Sequence, residues 1–240
     1  TYFNSTAIGN RLTMAGQSFT RNIYFNGVGS TWDLMDELNA QNVYFYTGVF
    51  NTNNHPMTMS SLARLGAGSL TLNLGTSLIT LIGNYTVWNT MNNNPVVNAS
   101  STTIRITGGS NLSLYANNTA FNIVEFTNSL GSAFINGGSL GCSFNTASFA
   151  GNGYLSGNNS FNVLNFSTGK TYTLQSGRTQ TITTLNASGS CTDYLILKSS
   201  TVGSQATISK LSGNLTLDYV ELTDINATGG AVFTANNAID

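Results

Sequence analysis

Apolar and polar side chains alternate along most of this chain in short segments, each closed by glycine or asparagine. Ser69-Leu70-Thr71-Leu72-Asn73-Leu74 alternates without a break, and after Gly75 the pattern resumes at Ser77-Leu78-Ile79-Thr80-Leu81-Ile82. Period-two text rich in β-branched residues and bounded by glycines predicts strands. The same pattern recurs at Thr102–Ile106, Phe121–Phe126, Ala133–Ile135, Cys142–Phe144, Phe161–Phe166, Thr171–Leu174, Thr181–Leu185, Tyr194–Leu197, Leu215–Leu222 and Ala231–Phe233. Thr31–Leu38 is the most acidic stretch and superficially helix-like. Its Trp32 and Leu34 alternate with Asp33 and Met35, and Leu38 fits a strand resuming after a turn. No segment carries a 3.6-residue period, so the expectation is an all-β chain.

One phrase repeats. Phe161-Asn162-Val163-Leu164-Asn165-Phe166 follows a Gly-Asn-Asn-Ser turn, and Phe121-Asn122-Ile123-Val124-Glu125-Phe126 is its earlier copy. Reduced copies are Asn22-Ile23-Tyr24-Phe25 and Asn42-Val43-Tyr44-Phe45. Their asparagines fall at 22, 42, 122 and 162, all separated by multiples of 20. A fixed period of about 20 residues marks a stacked repeat. This predicts a parallel β-helix (β-solenoid) of about ten to twelve coils, roughly 50–60 Å long at a strand spacing of about 4.8 Å. The alternative is a β-sandwich, which would not place copies at so fixed a period. Residues 1–20 read as a lead-in or edge coil and 21–240 as the solenoid, a segment of a longer chain. Phe121, Ile123 and Phe126, with Phe161, Val163 and Phe166, are the predicted inward positions, and Asn165 is outward. The asparagine of each phrase is expected at a corner, bonding its own backbone.

Composition sharpens this picture. Only 7% of the 240 residues are charged and the formal net charge is -1. That argues against nucleic acid, which needs clustered basic residues. Yet 40% of residues are hydrophobic and 10% aromatic, enough for a core. Polarity is carried by Asn, Ser, Thr and Gly, which stack on identical neighbours without like-charge repulsion. The two prolines, Pro56 and Pro95, leave nearly every backbone N–H free for ladders. No apolar run is long enough for a membrane span.

Candidate chemistry is sparse. Cys142 and Cys191 would form a disulfide if the chain is extracellular, or else serve as two buried thiols acting as small hydrophobes. His55, the single histidine, lies in Asn-Asn-His-Pro, a turn composition with no nucleophile signature nearby. Polysaccharide cleavage needs paired carboxylates. The acids are Asp33, Asp36, Glu37, Glu125, Asp193, Asp218, Glu221, Asp224 and Asp240, with Asp218 and Asp224 on one side of a strand and Glu221 on the other. Either acidic group, Asp33, Asp36 and Glu37 or Asp218, Glu221 and Asp224, would hold calcium weakly, since neither has the ligand spacing of a calcium loop. Thr171/Thr173 and Thr181/Thr183 resemble the threonine ranks of ice-binding solenoids, but ten residues apart they cannot stack. Trp32 and Trp88 are the candidates for contact with a glycan or another surface. The residues name no cofactor and no catalytic set, and a carbohydrate-binding or carbohydrate-cleaving β-helix and an ice-binding solenoid are the alternatives to a purely structural role.

Gly29–Leu34, Val49–Asn53, Ser69–Leu81 and Phe161–Phe166 resemble very large repetitive surface proteins of bacteria. Gly169–Leu174, Gly189–Cys191, Ala206–Lys210 and Ala227–Ala231 are similar to secreted cell-surface proteins of Bacteroidota, many of them type IX secretion cargo and some of them gliding or attachment adhesins. The resemblance implies an extracellular, outer-membrane-attached adhesin segment. Its partners would be other segments of the same chain, an extracellular surface or glycan, and the secretion machinery. That family has no catalytic motif, so no residue inherits a role.

Overall fold

The computed structural model describes residues 1–92 and 95–239. Among them there is no helix, and the chain winds into a β-solenoid of about 11 turns with strands stacked about 21 residues apart. Every pairing between its strands is parallel, as in Tyr2↔Tyr24, Leu112↔Ala133, Ala133↔Gly153 and Leu197↔Leu222. This sets the sandwich aside, since sandwich strands pair antiparallel. The expected lead-in already belongs to the ladder: Tyr2–Phe3, Asn10–Leu12 and Ser18–Phe19 pair with the next coil.

Three faces surround the core. The first carries, among others, Asn111–Tyr115, Ser132–Asn136, Asn152–Ser156, Thr171–Leu174 and Leu195–Ser199 in successive coils. Longer strands turn a corner and serve both of the others. Ala120–Phe126, Ser143–Phe149 and Asn159–Phe166 each place their first residues on the second face and their last four on the third. The spacing between stacked residues is uneven, from 17 (Ser143 to Ser160) to 28 (Thr179 to Thr207). Strands must stay in register to keep their hydrogen bonds, so insertions go into the turns. The 40-residue step from Asn122 to Asn162 is therefore two unequal steps, through Asn145.

The corner corrects two of the predicted inward positions. Phe121 pairs with Phe144 and Ile123 with Thr146, and the asparagine between them is passed over in the register. The bend at Asn122 resets the alternation, so Phe121, Val124 and Phe126 are buried and Ile123 is only half-buried. In the next copy but one, Phe161, Leu164 and Phe166 are buried and Val163 is not. The asparagines also differ from expectation: they bond the neighbouring coil, not their own backbone. Asn42 Nδ2 donates to Asn22 Oδ1 (2.8 Å), Asn145 Nδ2 to Asn122 Oδ1 (3.0 Å) and Asn162 Nδ2 to Asn145 Oδ1 (3.1 Å). A longer ladder runs from Asp33 through Asn51 and Asn73 to Asn98, each rung 2.6 Å. Amides carry a donor and an acceptor on one group, so identical side chains satisfy each other at the strand spacing. This is the physical use of a composition rich in asparagine and poor in charge. The single ion pair among the described residues, Arg105 Nε to Glu125 Oε2 (2.9 Å), occupies one such cross-coil rung.

The core is a set of like-on-like stacks. Phe3, Phe25 and Phe45 stack at 4.9 and 5.2 Å, and Phe121, Phe144 and Phe161 at 5.3 and 5.0 Å. These distances follow the spacing of the strands that carry the rings. Where the aromatic series is interrupted the core adapts. Arg64 takes the place above Phe45, is buried, and donates from its guanidinium to the carbonyls of Gly66 and Gly68. Burial lowers its pKa. Gly153 leaves room for the Tyr172 ring, whose nearest carbon would lie 2.8 Å from an added Cβ.

Tyr172 gives the fold an alkaline limit. Burial pushes its phenol up to about 12, with hydrogen bonds at Ser167 opposing, and burial pushes the Cys142 thiol up to about 11. Both groups stay neutral in the folded chain at a pH where the unfolded chain has already ionised. Their contribution is therefore fully present below about pH 9 and lost as pH rises to about 12, roughly 2–3 kcal/mol for each group. Urea unfolding should show a falling midpoint across that window, and Tyr172→Phe should flatten part of the fall.

Candidate functional site

The residues expected to meet a glycan are in the core. Trp88 is fully buried, its indole N–H donating to Thr90 Oγ1 (3.0 Å) and its ring edge-on to Phe121. Trp32 is 8% exposed and packs on Phe3 and Phe25, with its indole nitrogen buried and unpartnered. Neither can present a ring face to a ligand. For Trp32 the phase is the available signal, since it falls in step with Ser30 and Leu34 and all three point inward; for Trp88 it is not, because the register slips at Val87 and both Val87 and Trp88 are buried.

The disulfide is likewise absent: both cysteines are free, Cys142 buried and Cys191 exposed. Cys142 precedes the stacked series Ser143, Ser160 and Thr181, and Cys191 follows the last of these coils. The two are therefore at least two coil rises apart, on the order of 10 Å, beyond the Cα separation a disulfide spans.

Several of the acidic residues serve the backbone and the ladders. Asp36 accepts from the amides of Met14 and Ala15 (both 2.6 Å), and Asp33 from Asn51. Asp218 Oδ1 accepts from the Tyr219 amide and Asn237 Nδ2, and Asp224 Oδ2 from the Gly203 amide (2.8 Å). Asp240 lies outside the described residues. Among those described, no three His, Cys, Asp or Glu residues gather as a metal site. His55 sits in a turn, its amide donating to the Thr52 carbonyl. Thr171 and Thr173 lie on the first face, whereas Thr181 and Thr183 belong to the strand Thr179–Asn186, which pairs along the second and third.

What the fold does assemble is a groove on the first face. Two outward rows run along the solenoid axis, over four and five coils. One is Asn111, Ser132, Asn152 and Thr171, and the other is Ser113, Phe134, Tyr154, Thr173 and Lys198. Each strand sends alternate residues inward, so both rows follow from period two. They border an open trough of about 420 Å³ floored by Leu112, Ala133 and Gly153. A second trough of about 510 Å³ continues it, sharing Tyr154, Thr173 and Lys198 and ending at Thr223 and Asp224. Phe134 and Tyr154 are half-buried, 5.0 Å apart and tilted by 50°, and Tyr115 meets Phe134 edge-on at 5.5 Å. Their neighbours along the row, Ser113 and Thr173, are small. That is what opens the trough at either end of the aromatic pair. The first trough contains no carboxylate and one cation, Lys198.

Residue type points to tryptophan and passes over Phe134 and Tyr154. Outward aromatics are told from inward ones only by the strand's phase, and a one-residue shift exchanges them. Comparison with family models, with curated proteins and with solved structures gives no match.

Proposed function

We propose that this chain is a non-catalytic, load-bearing and adhesive β-solenoid segment of a large secreted cell-surface protein. The observation that carries the reading is the outer surface. Its polar side chains form neutral ladders from coil to coil, and a hydroxyl- and amide-lined trough with half-buried rings lies along one face. A stack of about 11 coils is on the order of 50 Å long. It is held along its whole length by main-chain ladders, which suits a spacer or a contact surface. The resemblance to bacterial surface adhesins points the same way, and with it an extracellular, outer-membrane-attached location reached by type IX secretion. In this reading the partners at the ends are further coils of the same long chain, stacking on part-buried Leu222, Ile225 and Phe233.

Beads coated with the folded chain, drawn under shear over glass bearing cellulose, chitin or mucin, test the proposal. Retention on at least one surface well above that of beads coated with heat-unfolded chain is the expected result. Equal retention of both bead types on all three surfaces would overturn it.

A further inference from the structure

We infer that the trough on the first face is a binding site for an uncharged, unbranched hexose polysaccharide lying along the solenoid axis; this rests on the adhesive reading and names its ligand. Three observations carry it. The first is that the site's polar groups are free. Elsewhere on the surface, asparagine amides are spent on each other from coil to coil. Here the hydroxyls of Ser113, Ser132, Tyr154 and Thr173 have no hydrogen-bond partner among the described residues, and Asn152 uses only its carbonyl oxygen, on the Thr171 amide (2.9 Å). Donors and acceptors in a concave, partly apolar trough, unengaged by the protein, are the features of a ligand site.

The second is the mixture of surfaces. A hexose has an apolar face of C–H groups and a rim of hydroxyls. Phe134 and Tyr154 supply part-exposed aromatic surface for the former, and the two flanking rows supply uncharged donors and acceptors for the latter. An anionic ligand would ask for more than the single cation, Lys198, and the adjoining trough brings Asp224 close to that same end. Charge therefore favours a neutral chain.

The third is commensurability. Both rows repeat once per coil, at the strand spacing of about 4.8 Å, which is close to the advance of one hexose unit along an extended chain. An unbranched chain would thus meet one outward residue of each row on each coil it crosses, with the two rings at the centre. Each contact is weak, and together they give the multi-site retention an adhesin needs. The trough offers no pair of carboxylates, so the ligand would be held and not cleaved.

The test is titration calorimetry with cellohexaose, laminarihexaose and mannohexaose, with hexagalacturonate as the charged comparison. We expect at least one neutral hexasaccharide to bind, with an affinity unchanged between about 0.05 and 0.5 M salt. Phe134→Ala and Tyr154→Ala should each weaken binding about tenfold. Asn165→Ala, on the third face, should leave it unchanged, and the melting temperature of each variant reports folding. If a variant melts early, Tyr154→Lys, which keeps the bulk of the side chain on the surface, replaces it. Failure of all three neutral probes to bind overturns the inference. So does binding that survives loss of both rings, or salt-sensitive preference for hexagalacturonate. The bead assay separates the two readings: beads carrying the Phe134→Ala/Tyr154→Ala chain that still adhere leave the adhesive function standing and this site refuted.

Discussion

Phe161→Asp should unfold the middle of the solenoid at a cost of about 5 kcal/mol or more. The Phe161 ring stacks 5.0 Å from Phe144 at an interplanar angle of 12°, and on the next coil its partner is Ile182. A carboxylate there loses both contacts, and the residues it stacks between, Phe144 and Ile182, offer no counter-charge. Each coil touches only its neighbours, so the damage should spread along the stack. Urea unfolding followed by far-ultraviolet circular dichroism should show a large drop in midpoint, or two transitions as the blocks on either side uncouple. Asn165→Asp is the companion. Asn165 donates to Ser148 Oγ and accepts from Asn186 Nδ2. The substitution removes one part-exposed donor and keeps the acceptor, for less than about 1 kcal/mol. Equal effects from the two variants would refute the register described above.

Gly141→Ala should cost about 3–5 kcal/mol, far more than glycine replacement usually does. The backbone at Gly141 is left-handed, with φ of 75°, and an added Cβ would sit 1.6 Å from the carbonyl oxygen of Asn158 on the next coil. That oxygen belongs to main chain and cannot swing away. The displaced backbone leads straight into Asn159, which is buried and accepts from the Cys142 amide (3.1 Å) while donating to Ser156 O and Gln180 Oε1 (both 3.0 Å). Moving Asn158 thus strains a polar network that spans three coils. Gly177 isolates the other component. Its φ is 68°, and an added Cβ would meet nothing within 4 Å. Gly177→Ala should therefore cost only the left-handed strain, about 1–2 kcal/mol. Melting both variants side by side separates backbone conformation from coil-to-coil clearance.

Much of the fold is legible in the residues because a β-solenoid is built from local rules repeated. Alternation marks strands, glycines and asparagines mark turns, and a phrase recurring at a fixed interval marks a coil. Leu70–Asn73 and Leu78–Leu81 both come out as strands. The asparagines at 22 and 42 do lie one above the other. Legibility ends where a strand bends. Ile123 and Val163 carry the right chemistry for the core, but the corners at Asn122 and Asn162 shift the phase by one, and Val124 and Leu164 go inward instead. The contact residues were misplaced for a related reason. Tryptophan is the strongest ligand-stacking residue by type, yet Trp32 and Trp88 are turned into the core, and Phe134 and Tyr154 are among the rings left outside.

The amino-acid sequence by itself determined an all-β chain, its coil length and the neutral character of its surface. These are properties of short segments and of composition, set by the two-residue pleat and by side chains that can pair with their own kind. Only the tertiary structure decided which outward rows share a face, because turns of uneven length alter which distant residues become neighbours: Ser143 stacks on Ser160, but Thr179 on the far more distant Thr207. Ser113, Phe134, Tyr154, Thr173 and Lys198 lie in one line only once the strands are in hydrogen-bonded register. A trough on a solenoid belongs to that register, and no single coil contains it.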